Sequence, residues 1–322
     1  MQTPFSVSLV VPTYNRGHLI EETICSALGQ MEPFSEIVVV DDASTDDTVA
    51  RLARFGERIT LIRAGKGGVQ QARNTGVAAC GTAYVALCDS DDLLDPGYTR
   101  TMRRVVEQAP LADIWYCNFT PFSGDAVLTD KLASAPDGFL DGADRGAEYC
   151  VNIPDLYVRV LQYQPFFPTG SLFSRRFYQA LGGYDPRFNG VGGEDFEFLL
   201  RAIASGALGY VTTPLVSIRK HEGNDSRDTL RALNGEAEIL EHALARHPGA
   251  AQYREAMLES IDKRRRSAFD IAYARGEFST VRDTASQLRS KPTESNFRLK
   301  KAISSLPPML RNMVWRISQS VH

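Results

Sequence analysis

Three carboxylates in a row of four residues, Asp89-Ser90-Asp91-Asp92, close the apolar run Tyr84-Val85-Ala86-Leu87-Cys88. Acids this close repel one another, and a bound cation or a set of substrate hydroxyls relieves the repulsion. A hard divalent ion, Mg²⁺ or Mn²⁺, completed by phosphate oxygens and water, suits that donor set. Aspartates also cap helices and form turns, and the four residues by themselves fit either role. The position after a buried strand favours a ligand site, because parallel sheets place their sites at the carboxyl ends of strands.

Two further strands end in the same manner. Glu36 to Val40 runs into Asp41-Asp42-Ala43-Ser44-Thr45-Asp46, and the first strand into Pro12-Thr13-Tyr14-Asn15-Arg16. Aspartates, an aromatic ring and small polar groups on one sheet edge suit a nucleotide: a ring for stacking and carboxylates for base or ribose donors. Tyr14 as packing, with Asp41 and Asp42 as caps, is the alternative, and for Ser44 and Asp46 capping is the better account. Later, Gly190-Val191-Gly192-Gly193 precedes a helix with Glu194 and Asp195 in its first turn, where acids also simply complement the dipole. His221, after an apolar strand, has a metal-ligand chemistry but no partner legible from its neighbours.

The elements that must position these groups follow from periodicity. Strands are expected at Val7 to Val11, Ile37 to Val40, Ile59 to Ile62 and Ala83 to Cys88. Helices are expected from His18 to Gln30, after Ser44 as cap with Asp47 reaching back, and from Val69 to Cys80. That order is a parallel sheet wound with helices. A strand from Ile114 to Phe119 and an irregular stretch from Ser123 to Asp144 follow, and from about Asn224 to Gln287 the composition turns helical.

Composition sets the remaining bounds. With 322 residues and 43% hydrophobic content the chain can bury a real core. Its 36 basic against 39 acidic residues exclude an extended nucleic-acid surface. Cys25, Cys80, Cys88, Cys117 and Cys150 are odd in number, widely spaced and mostly inside apolar runs, which predicts buried thiols in a reducing compartment. The N-terminus shows no secretory leader and no apolar run nears the ~18 residues of a span, so a cytoplasmic protein is expected.

Taken in order, Ser8 to Arg16, Glu36 to Thr48, Ala72-Arg73-Asn74-Thr75-Gly76, Asp89 to Asp92, Gly182-Gly183-Tyr184-Asp185 and Gly193-Glu194-Asp195-Phe196 resemble glycosyltransferase family 2. The resemblance covers roughly Phe5 to Ser226. It implies an α/β GT-A fold: a Rossmann-like nucleotide-binding half with a mixed, mainly parallel sheet (residues 1–101) and an acceptor-binding half (102–228). A helical C-terminal extension (229–322) follows. It implies an inverting transferase that moves a sugar from a nucleotide-diphosphate donor, a UDP-sugar by family habit, to a hydroxyl of a glycan or lipid-linked acceptor in surface polysaccharide synthesis. Pro12, Thr13, Tyr14, Asn15, Asp41, Asp42, Arg73, Asn74, Asp89 and Ser90 would contact the donor. Asp91, with His221, would hold Mn²⁺ or Mg²⁺; Asp195 would be the catalytic base, with Glu194 beside it for the acceptor. A sugar nucleotidyltransferase and a non-catalytic sugar-nucleotide-binding protein are the competing readings. The first lacks an early glycine-rich basic loop; the second gives no reason for Asp89, Asp91 and Asp195 to persist together.

The C-terminal segment carries Arg289, Lys291, Arg298, Lys300, Lys301, Arg311 and Arg316 against the single acid Glu294. Leu306, Met309, Leu310, Met313, Val314 and Ile317 fall on one helical face after Pro307-Pro308. Packing on the body or on a second subunit is expected ahead of peripheral contact with an anionic membrane, the alternative such a helix offers.

Overall fold

The computed structural model describes residues 5–221, 228–290 and 292–319. They divide into two compact units, residues 1–190 with 197–224, and residues 191–196 with 225–322.

In chain order the first unit opens with β1 (Val7–Thr13), α1 (Ile20–Leu28), β2 (Glu36–Asp41), α2 (Thr48–Leu52), β3 (Thr60–Arg63), α3 (Val69–Ala79) and β4 (Tyr84–Leu87). It continues through β5 (Leu93–Leu94), α4 (Tyr98–Gln108), β6 (Ile114–Ser123), β7 (Ala126–Val127), β8 (Asp144–Arg145) and β9 (Tyr149–Val151). Then come α5 (Leu156–Gln162), β10 (Leu172–Ser174), α6 (Arg175–Leu181), α7 (Glu194–Ser205), which the division cuts after Phe196, and β11 (Leu208–Arg219).

The strands form one mixed sheet in the order β3-β2-β1-β4-β10-β6-β11-β9-β8, with β5 on β11 and β7 on β6. From β3 to β4 all pairings are parallel, while β10 runs antiparallel between β4 and β6. Every residue of β1 is buried, because helices cover both faces of a parallel sheet and leave a central strand no solvent side. The chain runs from β1 to β2 and β3 on one side, then crosses through α3 to β4 on the other side of β1, so the carboxyl ends of β1, β2 and β4 flank a topological switch point.

Local detail corrects the sequence expectations at several points. The first helix is shorter than His18 to Gln30, ending with Gly29 at its C-cap. Ser44 does not cap α2: its hydroxyl accepts the Asn15 amide at 2.9 Å. Asp46 instead takes the first-turn amide of Thr48 at 3.0 Å, and Asp47 stands at the cap position without a side-chain capping bond, its carboxylate accepting Arg51 Nε at 2.8 Å. The loop after β1 supplies a competing donor that a local capping pattern does not anticipate. In α3, a Cβ at Gly76 would lie 2.3 Å from Val10 Cγ1, so only glycine lets this helix pack so closely on β1. Four cysteines are buried as free thiols, but Cys25 is exposed.

The second unit is helical, as the composition after Asn224 predicts: α8 (Thr229–Arg246), α9 (Arg254–Arg275), α10 (Phe278–Gln287), α11 (Ser295–Ser304) and α12 (Pro308–Gln319). The segment Glu222 to Ser226, where the first motif series ends, lies outside the described residues. Phe269, Tyr273, Phe278, Val281 and Phe297 centre the core of this unit. Gly276 ends α9 in the left-handed region, φ 74°, a conformation glycine reaches without a Cβ clash.

Candidate active site

At the carboxyl edge of the sheet, the loop after β1 is laced to the loop after β2. Asn15, itself at φ 50°, donates its amide to Ser44 Oγ and accepts the Thr45 amide on its side chain at 2.8 Å. Arg16 donates its amide to Thr48 Oγ1 at 2.9 Å, and Gly17 to Asp46 at 3.0 Å. Thr13 and Asp41 pair in register as the last residues of their strands. Pro12 and Thr13 are buried with them.

The two aspartates after β2 are both nearly inaccessible but do different work. Asp41 accepts the Ser44 amide and closes its own turn. Asp42, 4% exposed, accepts the amides of Gly67 at 2.6 Å and Gly68 at 3.0 Å and pairs with Lys66 Nζ at 2.9 Å. Lys66 Nζ also stands 2.9 Å from the centre of the Tyr14 ring, which is 41% exposed. The loop that precedes α3 is thereby held by its backbone to a carboxylate that the family resemblance places among the donor contacts. Lys66 was not legible as part of this cluster, since nothing local links it to Tyr14.

Arg73 and Asn74, neighbours on α3, reach different partners. Arg73 is buried, donating to Asp89 at 2.8 Å and to Gln70 at 3.0 Å. Asn74 spends its amide on the turn after α6, donating to the Tyr184 carbonyl and accepting the Tyr184 amide and the Tyr178 hydroxyl. Gly183 in that turn has φ 71°, and a Cβ there would lie 2.5 Å from Asn74 Oδ1.

The acids after β4 form the densest part of the site. Asp91, 9% exposed, places Oδ2 at 2.9 Å from His221 Nε2 and 3.5 Å from Arg16 Nε. The aspartate and the histidine, 130 residues apart in the chain, are thus brought together as the family resemblance implies. Asp92 is buried; its Oδ2 accepts the Thr169 hydroxyl at 2.6 Å and its Oδ1 the Arg219 amide at 2.9 Å. Thr169 Oγ1 in turn accepts the Asp89 amide, and Arg219 Nε donates to the Asp91 carbonyl at 3.0 Å. Asp92 therefore ties the acidic loop to the end of β11, two residues before His221. Burial first, then the charges of Asp91 and Asp89, push its carboxyl well above the usual carboxylate range, against the hydrogen bonds from Thr169 and Arg219. Ser90 is buried within the same loop.

Arg16, Thr169 and Arg219 are residues that sequence reasoning left out, and it gave Asp92 no role beyond its charge. Arg16 and Asp92 lay inside quoted motifs, while Thr169 and Arg219 carry no local signal. The segment Phe166 to Ser171 supplies Thr169, but its aromatics are core. Phe166 is 1% exposed, with Tyr116 and Tyr210 rings at 5.2 and 5.4 Å.

Among the described residues no group of three or more His, Cys, Asp or Glu is arranged to hold a metal ion by itself. Asp91 and His221 are two donors that share a point, which fits a cation whose remaining positions are filled by substrate oxygens and water. Glu194 and Asp195 open α7 in the second unit, directly after Gly192 and Gly193 at φ 95° and 73°. That loop rests on α8: a Cβ at Gly235 would lie 2.2 Å from the Gly192 carbonyl, and one at Gly193 would lie 2.6 Å from Glu236 Cγ. The helical unit itself thus supports the loop that presents the two carboxylates, a link absent from any single motif.

The model of glycosyl transferase family 2 matches residues 8–158, and that of the N-terminal domain of galactosyltransferase matches residues 152–220. The succinoglycan biosynthesis protein ExoO of Rhizobium meliloti is 40% identical over 111 residues, 33% of this chain and 30% of that protein. The chain spans between 18% and 53% of the length of the curated relatives it matches. Among solved structures, S. aureus TarS 1-349 in complex with UDP superposes with a TM-score of 0.62 at 16% identity, covering 93% of this chain and 89% of that one. Mannosyltransferase PcManGT from Pyrobaculum calidifontis in complex with GDP-Man and Mn²⁺ gives 0.55 at 17% identity, covering 94% and 85%.

Proposed function

Because the chain belongs to glycosyltransferase family 2, we propose that it is an inverting transferase, moving a sugar from a nucleotide-diphosphate donor to an acceptor hydroxyl in surface polysaccharide synthesis. The observation that carries this is the convergence of Asp91, His221 and Arg16 at the carboxyl edge of the sheet, beside the Tyr14, Asp41 and Asp42 cluster. A related transferase structure holds Mn²⁺ with its nucleotide sugar, and ExoO belongs to succinoglycan synthesis by name.

In this mechanism Tyr14 and the aspartates after β2 hold the base and ribose, and Arg73 fixes Asp89 toward the donor. A divalent cation bound between Asp91 and His221 would offset charge growing on the departing diphosphate. Imidazole is a better ligand for a transition metal than for Mg²⁺, so Mn²⁺ is the preferred ion. Asp195 takes the proton of the acceptor hydroxyl as that oxygen attacks the anomeric carbon from the face opposite the diphosphate. No carboxylate nucleophile is needed, since the configuration inverts in one displacement. Glu194 orients the acceptor.

The test is a donor panel. Purified protein is incubated with UDP- and GDP-sugars and Mn²⁺, and nucleotide release to water is followed with and without glycan or lipid-linked acceptors. Release from one donor, accelerated by an acceptor, is the expected result. Nucleotide binding by calorimetry without any release would favour a binding protein, and absence of both would reject the proposal.

A further inference from the structure

Helix α12 has two apolar faces, one of which packs on the core of its unit. Trp315 donates its indole N–H to the Tyr273 carbonyl at 2.8 Å and meets Phe278 edge-on at 5.7 Å, and Val314 packs on the same core. Met309, Leu310, Met313 and Ile317 lie elsewhere on the helix, 91%, 45%, 56% and 58% exposed. At 3.6 residues per turn these four share one stripe roughly 100° wide, turned away from Trp315. With Leu299 on α11 they are five of the ten exposed large hydrophobic side chains among the described residues. Scattered single hydrophobics are ordinary on a protein surface, whereas a cluster of this kind marks an interaction site.

The charges around the stripe identify the occupant. Arg298, Lys301 and Arg316 are exposed, and no ion pair is recorded for them among the described residues. Lys300 and Arg311 are already engaged, with Asp270 and over the Phe278 ring. Glu294, the one acid in the sequence from Arg289 to Ile317, is paired with Arg266. A second copy joined through a two-fold axis would set this basic, apolar surface against itself, bringing like charges together. An anionic lipid surface is complementary in both respects: acyl chains for the methionines, leucine and isoleucine, phosphates for the cations. No helix among the described residues is long and apolar enough to cross a membrane.

We propose that α12 lies in the interface of an anionic membrane, with Met309, Leu310, Met313 and Ile317 inserted and Arg298, Lys301 and Arg316 on the headgroups. The contact does not depend on which sugar is transferred. It is reversible, since one short helix gives only modest anchoring.

Flotation of the full chain with phosphatidylcholine vesicles, with and without about 30% phosphatidylglycerol, tests it. Binding at least tenfold stronger on the anionic vesicles is expected, weakening as salt rises. The combined Met309→Ser, Met313→Ser, Ile317→Ser variant and the combined Arg298→Gln, Lys301→Gln, Arg316→Gln variant should each lose at least tenfold. Their melting temperatures should match the parent, because the altered side chains are exposed. Failure to float on anionic vesicles, equal flotation on neutral ones, or flotation unchanged in either variant overturns the proposal. So does a dimer in sedimentation that the serine variant dissociates, because the stripe would then be covered by a second copy.

Discussion

His221 Nε2 and Asp91 Oδ2 lie 2.9 Å apart, joining the end of β11 to the loop after β4. Two donors of different hardness meet there, and Arg16 stands on the same oxygen at 3.5 Å. Asp91 and His221 are the residues that would hold a divalent cation here, where its charge would offset that of a departing diphosphate.

Chelation should therefore abolish sugar transfer, with Mn²⁺ restoring it more effectively than Mg²⁺. Asp91→Asn should lower transfer by on the order of 10²-fold or more, because stabilisation of the leaving group is worth several kcal/mol. His221→Ala should raise the Mn²⁺ concentration needed for half-maximal rate. Full activity in chelator, measured by a radiolabelled-sugar assay, would remove Asp91 and His221 from this role.

Asp195→Asn keeps size and polarity but loses the base. Turnover should fall by about 10²–10⁴-fold with donor affinity unchanged. Calorimetry of nucleotide binding alongside the transfer assay separates the two quantities, and a near-normal rate would reject Asp195 as the base.

Gly235→Ala reverses the usual sign of a helix substitution. In a free helix alanine is favoured by up to about 1 kcal/mol, but here its Cβ would fall 2.2 Å from the Gly192 carbonyl and 2.4 Å from that of Val191. The loop before Glu194 must move, so kcat should drop while the donor Kd stays constant. A variant with unaltered kcat and a higher melting temperature would show that the loop adapts at no cost.

Asp92 gives the fold a pH dependence. Its carboxyl holds a proton more tightly folded than unfolded, so the stabilisation is complete below the unfolded value near pH 4 and is lost as pH rises through the raised folded value. Asp92→Asn carries no such proton. The melting temperature of the parent relative to this variant, without added divalent ions, should be highest below about pH 4 and fall as the pH rises. A difference that is flat with pH would mean that the carboxyl is ionised throughout.

Much of the nucleotide half is legible along the chain because its signals are local. The β-branched runs at Val7 to Val11 and Ile37 to Val40 can only be buried strands, and the acids that follow them must emerge at one edge once the strands are parallel. Where local rules compete, sequence reasoning fails in a specific way. Ser44 has the right spacing to cap α2, but the Asn15 amide takes its hydroxyl. Phe166 and Phe167 carry no periodic signal of their own and pack with Tyr116, Tyr210 and Phe119.

By itself the sequence determined the element order, the edge at which the acids emerge, and the pairing of chemistry types that a sugar nucleotide requires. Tertiary structure alone decided that Thr169 and Arg219 would hold Asp92, that Lys66 would stand on Tyr14, and that Trp315 would dock while Met313 stays exposed. The physical reason is range. Helix and strand patterns repeat within a few residues, whereas the Asp92 carboxylate is satisfied by groups 77 and 127 residues away, and no spacing rule spans that distance.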